Sequence, residues 1–252
     1  MAAAEQARDD GPESTGGRGR RDRSAFASLK AVLSEALADY RSHQRVLPPF
    51  VIGFVGTYLL LLLLPGEDAD RLTQLVGWLL LQVITPAVVG TALFAYATAL
   101  FDDAQDQQGS PLSRVVARLG TVGAAAAVSA SLSLVLWVLI GSAALLVQPL
   151  LFGPPVLLQA IVLERLDLGD AWARTRRVLR RDAMIPAYVL VAVAIVGLVG
   201  VVLQGTFAPL TSGLDGDART AAQLAFWGLV LGLTLPFVAA VGLRAYRLAR
   251  TP

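Results

Sequence analysis

LGTVGAAAAVSASLSLVLWVLIGSAALLVQPLLFGPPVLLQAIVL, residues 119 to 163, runs for 45 residues without an Asp, Glu, Lys, Arg or His. As a single helix it would reach roughly 68 Å, about twice the hydrocarbon thickness of a bilayer. The segment must therefore cross, turn and cross back. Gly141 and Ser142 lie near its middle, so the expected spans are about 120–141 and 143–163, joined by a tight turn. Four further charge-free runs, 46–66, 72–101, 183–214 and 220–243, predict spans at about 46–64, 73–99, 184–204 and 221–243. The expected fold is all-α: a polytopic membrane protein of about six transmembrane helices, since in lipid only helices and closed barrels satisfy their backbone polar groups internally.

Composition points the same way. Apolar residue types make up 55% of the chain and charged ones 16%, against about 25% charged in an average soluble domain. Cysteine is absent, which removes disulfides, thiolate nucleophiles and cysteine-ligated metals from consideration. The first 25 residues are too polar for the apolar core of a signal peptide, so insertion is expected to rest on the first span.

Lys and Arg placement sets the expected orientation. With both termini cytoplasmic, 19 basic residues fall inside and only Arg71 and Arg219 outside, where Glu67, Asp68, Asp70, Asp215 and Asp217 also fall. Trp78, Trp137 and Trp227 then lie toward the outer ends of their helices, as an interfacial aromatic belt requires. The expected location is the cell membrane.

Outside the spans, residues 1–23 form a polar tail whose Arg18, Arg20, Arg21 and Arg23 suit topology and anionic lipid rather than nucleic acid. Residues 24–250 make up the membrane domain. Within it, 24–45 predicts an interfacial helix, capped by Ser24, with Phe26, Leu29, Leu33, Leu37 and Tyr40 opposite Lys30, Ser34 and Arg41. His43, the only histidine, is expected to serve as an interfacial or capping side chain and not as a metal ligand. Residues 168–181 predict a second amphipathic helix, capped by Asp167 or Asp170. Leu168, Ala171, Trp172, Thr175, Val178 and Leu179 fall on one side, and Arg174, Arg176, Arg177, Arg180 and Arg181 on the other. Those five arginines are the candidate contacts for lipid headgroups or an acidic partner.

Around this helix the chain resembles a known group. Gly153, Pro154 and Pro155 precede Ala160, Ile161, Val162, Leu163 and Glu164, followed by Leu168, Asp170, Ala171, Trp172, Arg174 and Arg177. Pro236 lies in the last span and Arg244, Tyr246 and Arg247 follow it. This pattern is similar to prokaryotic six-span proteins related to the membrane domain of glycerophosphodiester phosphodiesterases, over about residues 24–250. The resemblance implies the six-span architecture; the soluble phosphodiesterase barrel, with its His, Glu and Asp groups, has no counterpart in the sequence.

Hydrolysis at membrane depth would require paired carboxylates, a metal cluster or an activated nucleophile, and every carboxylate lies in a tail or loop. A non-enzymatic protein without metal or cofactor is therefore expected. Ser129 and Ser133 share a face with Ala126, which suits close packing. Gly228 and Gly232 form a GxxxG pair for helix contact, and Gly53 with Gly56 and Gly197 with Gly200 offer further small surfaces. No ionisable residue lies mid-span, which argues against proton or sodium coupling. The primary expectation is a membrane- or lipid-associated scaffold or partner subunit, binding the bilayer, anionic lipid, a membrane protein partner or a second copy. The alternative is a permease-like subunit of a multicomponent transporter for a neutral or lipidic substrate. Against it, Arg176 and Arg177 occupy the place of the glycine that such a permease's ATPase-docking loop needs, and no P-loop is present.

Overall fold

A computed structural model of the protein describes residues 16–66, 68–102, 110–140, 156–182 and 184–250. The regular elements among them are all helices: α1 (Gly16–Ser42), α2 (Leu47–Leu59), α3 (Arg71–Trp78), α4 (Thr85–Phe101), α5 (Pro111–Val116), α6 (Leu119–Ile140), α7 (Leu157–Leu163), α8 (Leu168–Arg181), α9 (Ile185–Leu210) and α10 (Gly216–Arg250), with short 3-10 and π turns between some of them. Five stretches are long and apolar enough to cross a membrane: Gln44–Leu63, Arg71–Phe101, Leu119–Leu139, Ile185–Leu210 and Gly216–Arg250. The expected turn at Gly141 and Ser142 and the first part of the sixth expected span lie outside the described residues, as do Gly153, Pro154 and Pro155. The end of that span is α7, buried from Leu157 to Val162.

Prolines set the local breaks. Pro48 stands in the first turn of α2, where a missing N–H costs nothing. Pro86 stands deep in a long helix, can offer no N–H to the carbonyl four residues back, and crowds it. The chain answers by winding Leu79–Ile84 as a π-helix just before it. Thr85 Oγ1 donates to the Leu80 carbonyl at 2.8 Å and so satisfies a group in the widened turn. In α10, Pro236 breaks the ladder in the same way, and Tyr40 Oη of α1 donates to the Leu233 carbonyl at 2.8 Å.

Lipid tails are as apolar as leucine, so helices in a bilayer associate through close approach and polar contacts rather than through the hydrophobic effect. The glycines show where approach is closest. A Cβ on Gly228 would stand 2.5 Å from Val55 Cα, and one on Gly232 would stand 2.6 Å from Val51 Cα, so the backbones of α10 and α2 touch without a side chain between them. The other two pairs divide. A Cβ on Gly53 would meet Leu93 Cδ1 at 2.8 Å and one on Gly200 would meet Trp227 Cζ3 at 2.9 Å, while Gly56 and Gly197 have nothing within 4 Å. Ser129 and Ser133 are buried, and Ser129 Oγ accepts from Thr91 Oγ1 of α4 at 3.5 Å. Buried Gln159 caps the start of α7, accepting the Val156 N–H at 2.8 Å. A Cβ on Gly242 would lie 3.1 Å from its Nε2, so α10 makes room for it.

One face of the bundle gathers the start of α2, the end of α4, the start of α6, the ends of α7 and α10, and α8. α6 leaves this face at Leu119, and the chain has returned to it by Glu164. α1 lies against α10 near the same face, with Val32, Ala36 and Asp39 turned inward. Its packed stripe is thus rotated by about one position from the one expected, and Leu37 is 38% exposed. This rotation lets Asp39 face α10 and its partner Arg244.

Candidate functional site

The last two turns of α10 carry Arg244, Tyr246, Arg247 and Arg250. At about 100° per residue Arg244, Arg247 and the Tyr246–Arg250 pair point in three directions, and each direction meets a carboxylate from another element. Arg244 forks onto Asp39 of α1 through Nε and Nη2, and its Nη1 lies 3.3 Å from Glu35 Oε2. Arg247 Nη2 donates to Asp102 Oδ1, at the end of α4, at 2.7 Å. Tyr246 Oη donates to Glu164, at the end of α7, while Arg250 Nε lies 3.5 Å from the same carboxylate and stacks over the Tyr246 ring at 5.7 Å.

These acids are shielded: the side chains of Asp39, Asp102 and Glu164 are 7%, 9% and 17% exposed. A carboxylate that far from water needs a cation and hydrogen bonds to stay charged. Asp102 and Glu164 recruit further cations. Arg114 of α5 reaches Asp102 Oδ2 at 3.4 Å and donates through its other terminal nitrogen to the Ala99 carbonyl. Arg174 of α8 places Nε 3.1 Å from Glu164 Oε2. The Tyr246 hydroxyl, and after it the Glu164 charge, push the Arg174 guanidinium above its ordinary range against the opposing effect of burial.

Sequence reasoning had Glu164, Arg244, Tyr246 and Arg247 in view as parts of a resemblance and treated the acids as loop residues; it did not pair them. The available signal was position. Asp102 and Glu164 each close an apolar run, where a carboxylate shielded from water needs a cation beside it.

α8 begins at Asp167, whose side chain accepts the Asp170 N–H at 2.9 Å. Ala171, Thr175 and Val178 form its buried line, with Leu168 and Leu179 half-buried beside it. Trp172, expected on the packed side, stands about 100° from that line and is 55% exposed. The five candidate arginines divide. Arg174 turns under the helix to Glu164, whereas Arg176, Arg177, Arg180 and Arg181 are exposed and make no ion pair among the described residues. An open groove of about 420 Å³ runs beside Trp172, Thr175, Arg176, Leu179 and Arg180. Gly228 and Gly232, the other candidates, lie apart from this face in the α2–α10 contact.

His43 closes α1. Its Nδ1 lies 3.1 Å from the Asp39 carbonyl oxygen and 2.8 Å from Ser42 Oγ, and its ring meets Phe101 edge-on at 5.7 Å. Among the described residues, no three His, Asp or Glu side chains are grouped so as to hold a metal ion.

Helices of this length and apolarity, with their polar chemistry gathered at the helix ends, define a multi-pass helical membrane protein. No protein-family model, curated protein or solved structure matches the chain.

Proposed function

We propose that the protein is a non-enzymatic, six-span protein of the cell membrane with both termini cytoplasmic, acting as a lipid-associated scaffold or partner subunit through the exposed side of α8. One observation carries this reading. At a face where Arg114, Arg174, Arg244, Arg247 and Arg250 are bound to carboxylates, Arg176, Arg177, Arg180 and Arg181 stay exposed beside Trp172. Arginine forks match phosphate oxygens in pairs, and tryptophan settles at the headgroup level. An anionic bilayer surface satisfies both, with α8 and α1 lying along it.

Replacing Arg176, Arg177, Arg180 and Arg181 with Gln should reduce retention of anionic lipid by the purified protein in mixed nanodiscs. Raised salt should do the same to wild type, because exposed charges are screened within about 8 Å at physiological ionic strength. Equal retention by both proteins would leave the arginines as orientation signals only. The orientation has its own test. Reporter fusions after residues 68, 142 and 216 should read external and those after 107, 175 and 252 cytoplasmic; a cytoplasmic signal at 142 would remove the sixth span.

A further inference from the structure

We propose that the cleft between the α5–α6 junction and the α7–α8 corner is a second, separate binding site, for a phosphate-bearing anion held by Arg118 and Arg165. The cleft measures about 420 Å³ and is lined by Ser113, Arg114, Ala117, Arg118, Val162 and Arg165. That volume lies within the range of about 300–1,000 Å³ typical of small-ligand sites. Its charged side chains are three arginines. Arg114 is committed to Asp102 and to the Ala99 carbonyl, which fixes one cationic wall. Arg118 and Arg165 make no ion pair among the described residues.

The backbone at Arg165 adds an independent argument. α7 ends with the Glu164 N–H on the Ala160 carbonyl at 3.2 Å and the Leu166 N–H on the same oxygen at 3.5 Å, a closure that puts the residue between them in the left-handed region. Arg165 has φ 57°. Glycine is the residue that conformation favours, because any Cβ is strained there. A long cationic side chain instead occupies the position, beside the cleft. A non-glycine residue retained in that conformation at a cavity wall points to use of its side chain. With Arg114 paired to Asp102, the cations Arg118 and Arg165 leave net positive charge at the cleft, and guanidinium forks meet phosphate oxygens bidentately. The ligand class is therefore a phosphate group, presented by a lipid headgroup or by a small soluble molecule.

The site shares the cytoplasmic, lipid-facing placement proposed above but none of the four α8 arginines, so the two can fail separately. The test uses the full chain in phosphatidylcholine nanodiscs, once titrated with inorganic phosphate at constant ionic strength and once with phosphatidic acid in the bilayer and bound lipid counted by native mass spectrometry. Saturable binding is expected in at least one arm. Binding of phosphatidic acid alone identifies a headgroup as the source, and binding of inorganic phosphate identifies a free anion. Arg118→Gln and Arg165→Gln should each weaken it about tenfold, while the four-residue α8 variant should leave it intact. Arg165→Gly guards against misfolding, since glycine suits this backbone; it should stay folded and still lose binding. No saturable binding in either arm, full binding by Arg165→Gly, or loss through the α8 variant with Arg118→Gln and Arg165→Gln unaffected would each overturn the site.

Discussion

The two ends of the bundle use their polar side chains differently. At the end carrying Asp70, Asp215 and Arg219, each serves its own stretch of chain. Asp70 accepts from the Leu72 and Thr73 N–H groups at 3.0 and 2.9 Å. Asp215 accepts from the Ala218 N–H at 2.8 Å, and Arg219 donates to the carbonyls of Thr211 and Leu214, both at 3.2 Å. At the end carrying α8, the bonds from α10 cross 205, 145 and 82 residues of sequence to Asp39, Asp102 and Glu164. Local caps finish individual helices. Long-range pairs, together with close backbone approach, fix which helices are neighbours, because lipid supplies no apolar driving force of its own.

The largest expected effect lies between the ends, where both depend on the same contact. Gly228→Leu or Gly232→Leu should destabilise the protein by about 3 kcal/mol, because the new side chain meets backbone that cannot give way. Gly56→Leu and Gly197→Leu, with open space before them, should be near neutral by thermal unfolding in detergent. Similar melting of all four variants would mean that α2 and α10 do not form the spine joining the two ends.

Next comes the long-range end itself. Arg244→Gln strands the shielded Asp39 carboxylate and should cost about 2–3 kcal/mol, while Asp39→Asn should cost less because Arg244 keeps Glu35 and contact with water. The double variant should recover part of the loss in a mutant cycle. Strict additivity would make this end as local as the other.

The smallest effect belongs to the locally capped end. The Thr73 hydroxyl first, then the backbone N–H groups of Thr73 and Leu72, hold the Asp70 carboxyl below its usual range. Its contribution is therefore complete above the ordinary aspartate value of about 3.9 and fades as pH falls through the lowered folded value. Asp70→Asn should flatten that acid limb slightly in pH-dependent melting, and an unchanged limb would remove the cap from the account.

Much of the fold is legible in the sequence alone. Charge-free runs marked where helices cross, since apolar length is a property of consecutive residues, and the cap of α8 was narrowed to Asp167 or Asp170 because a cap binds N–H groups two or three positions on. The α8 stripe of Ala171, Thr175 and Val178 followed from helical period alone. Less legible was its margin: the wheel grouped Arg174 with its neighbours and could not register a carboxylate arriving from the end of α7.

Sequence by itself determined that this chain is helical, apolar enough to cross a membrane repeatedly, and basic at the ends its loops share. Those properties arise within a turn or a span of each residue. Only the tertiary structure decided that Gly228 and Gly232 meet the α2 backbone while Gly56 and Gly197 meet nothing, that α1 rotates to bring Asp39 to Arg244, and which arginines remain exposed. Pairing depends on which helices become neighbours, and no periodicity along a single chain encodes which distant acid a given arginine will reach.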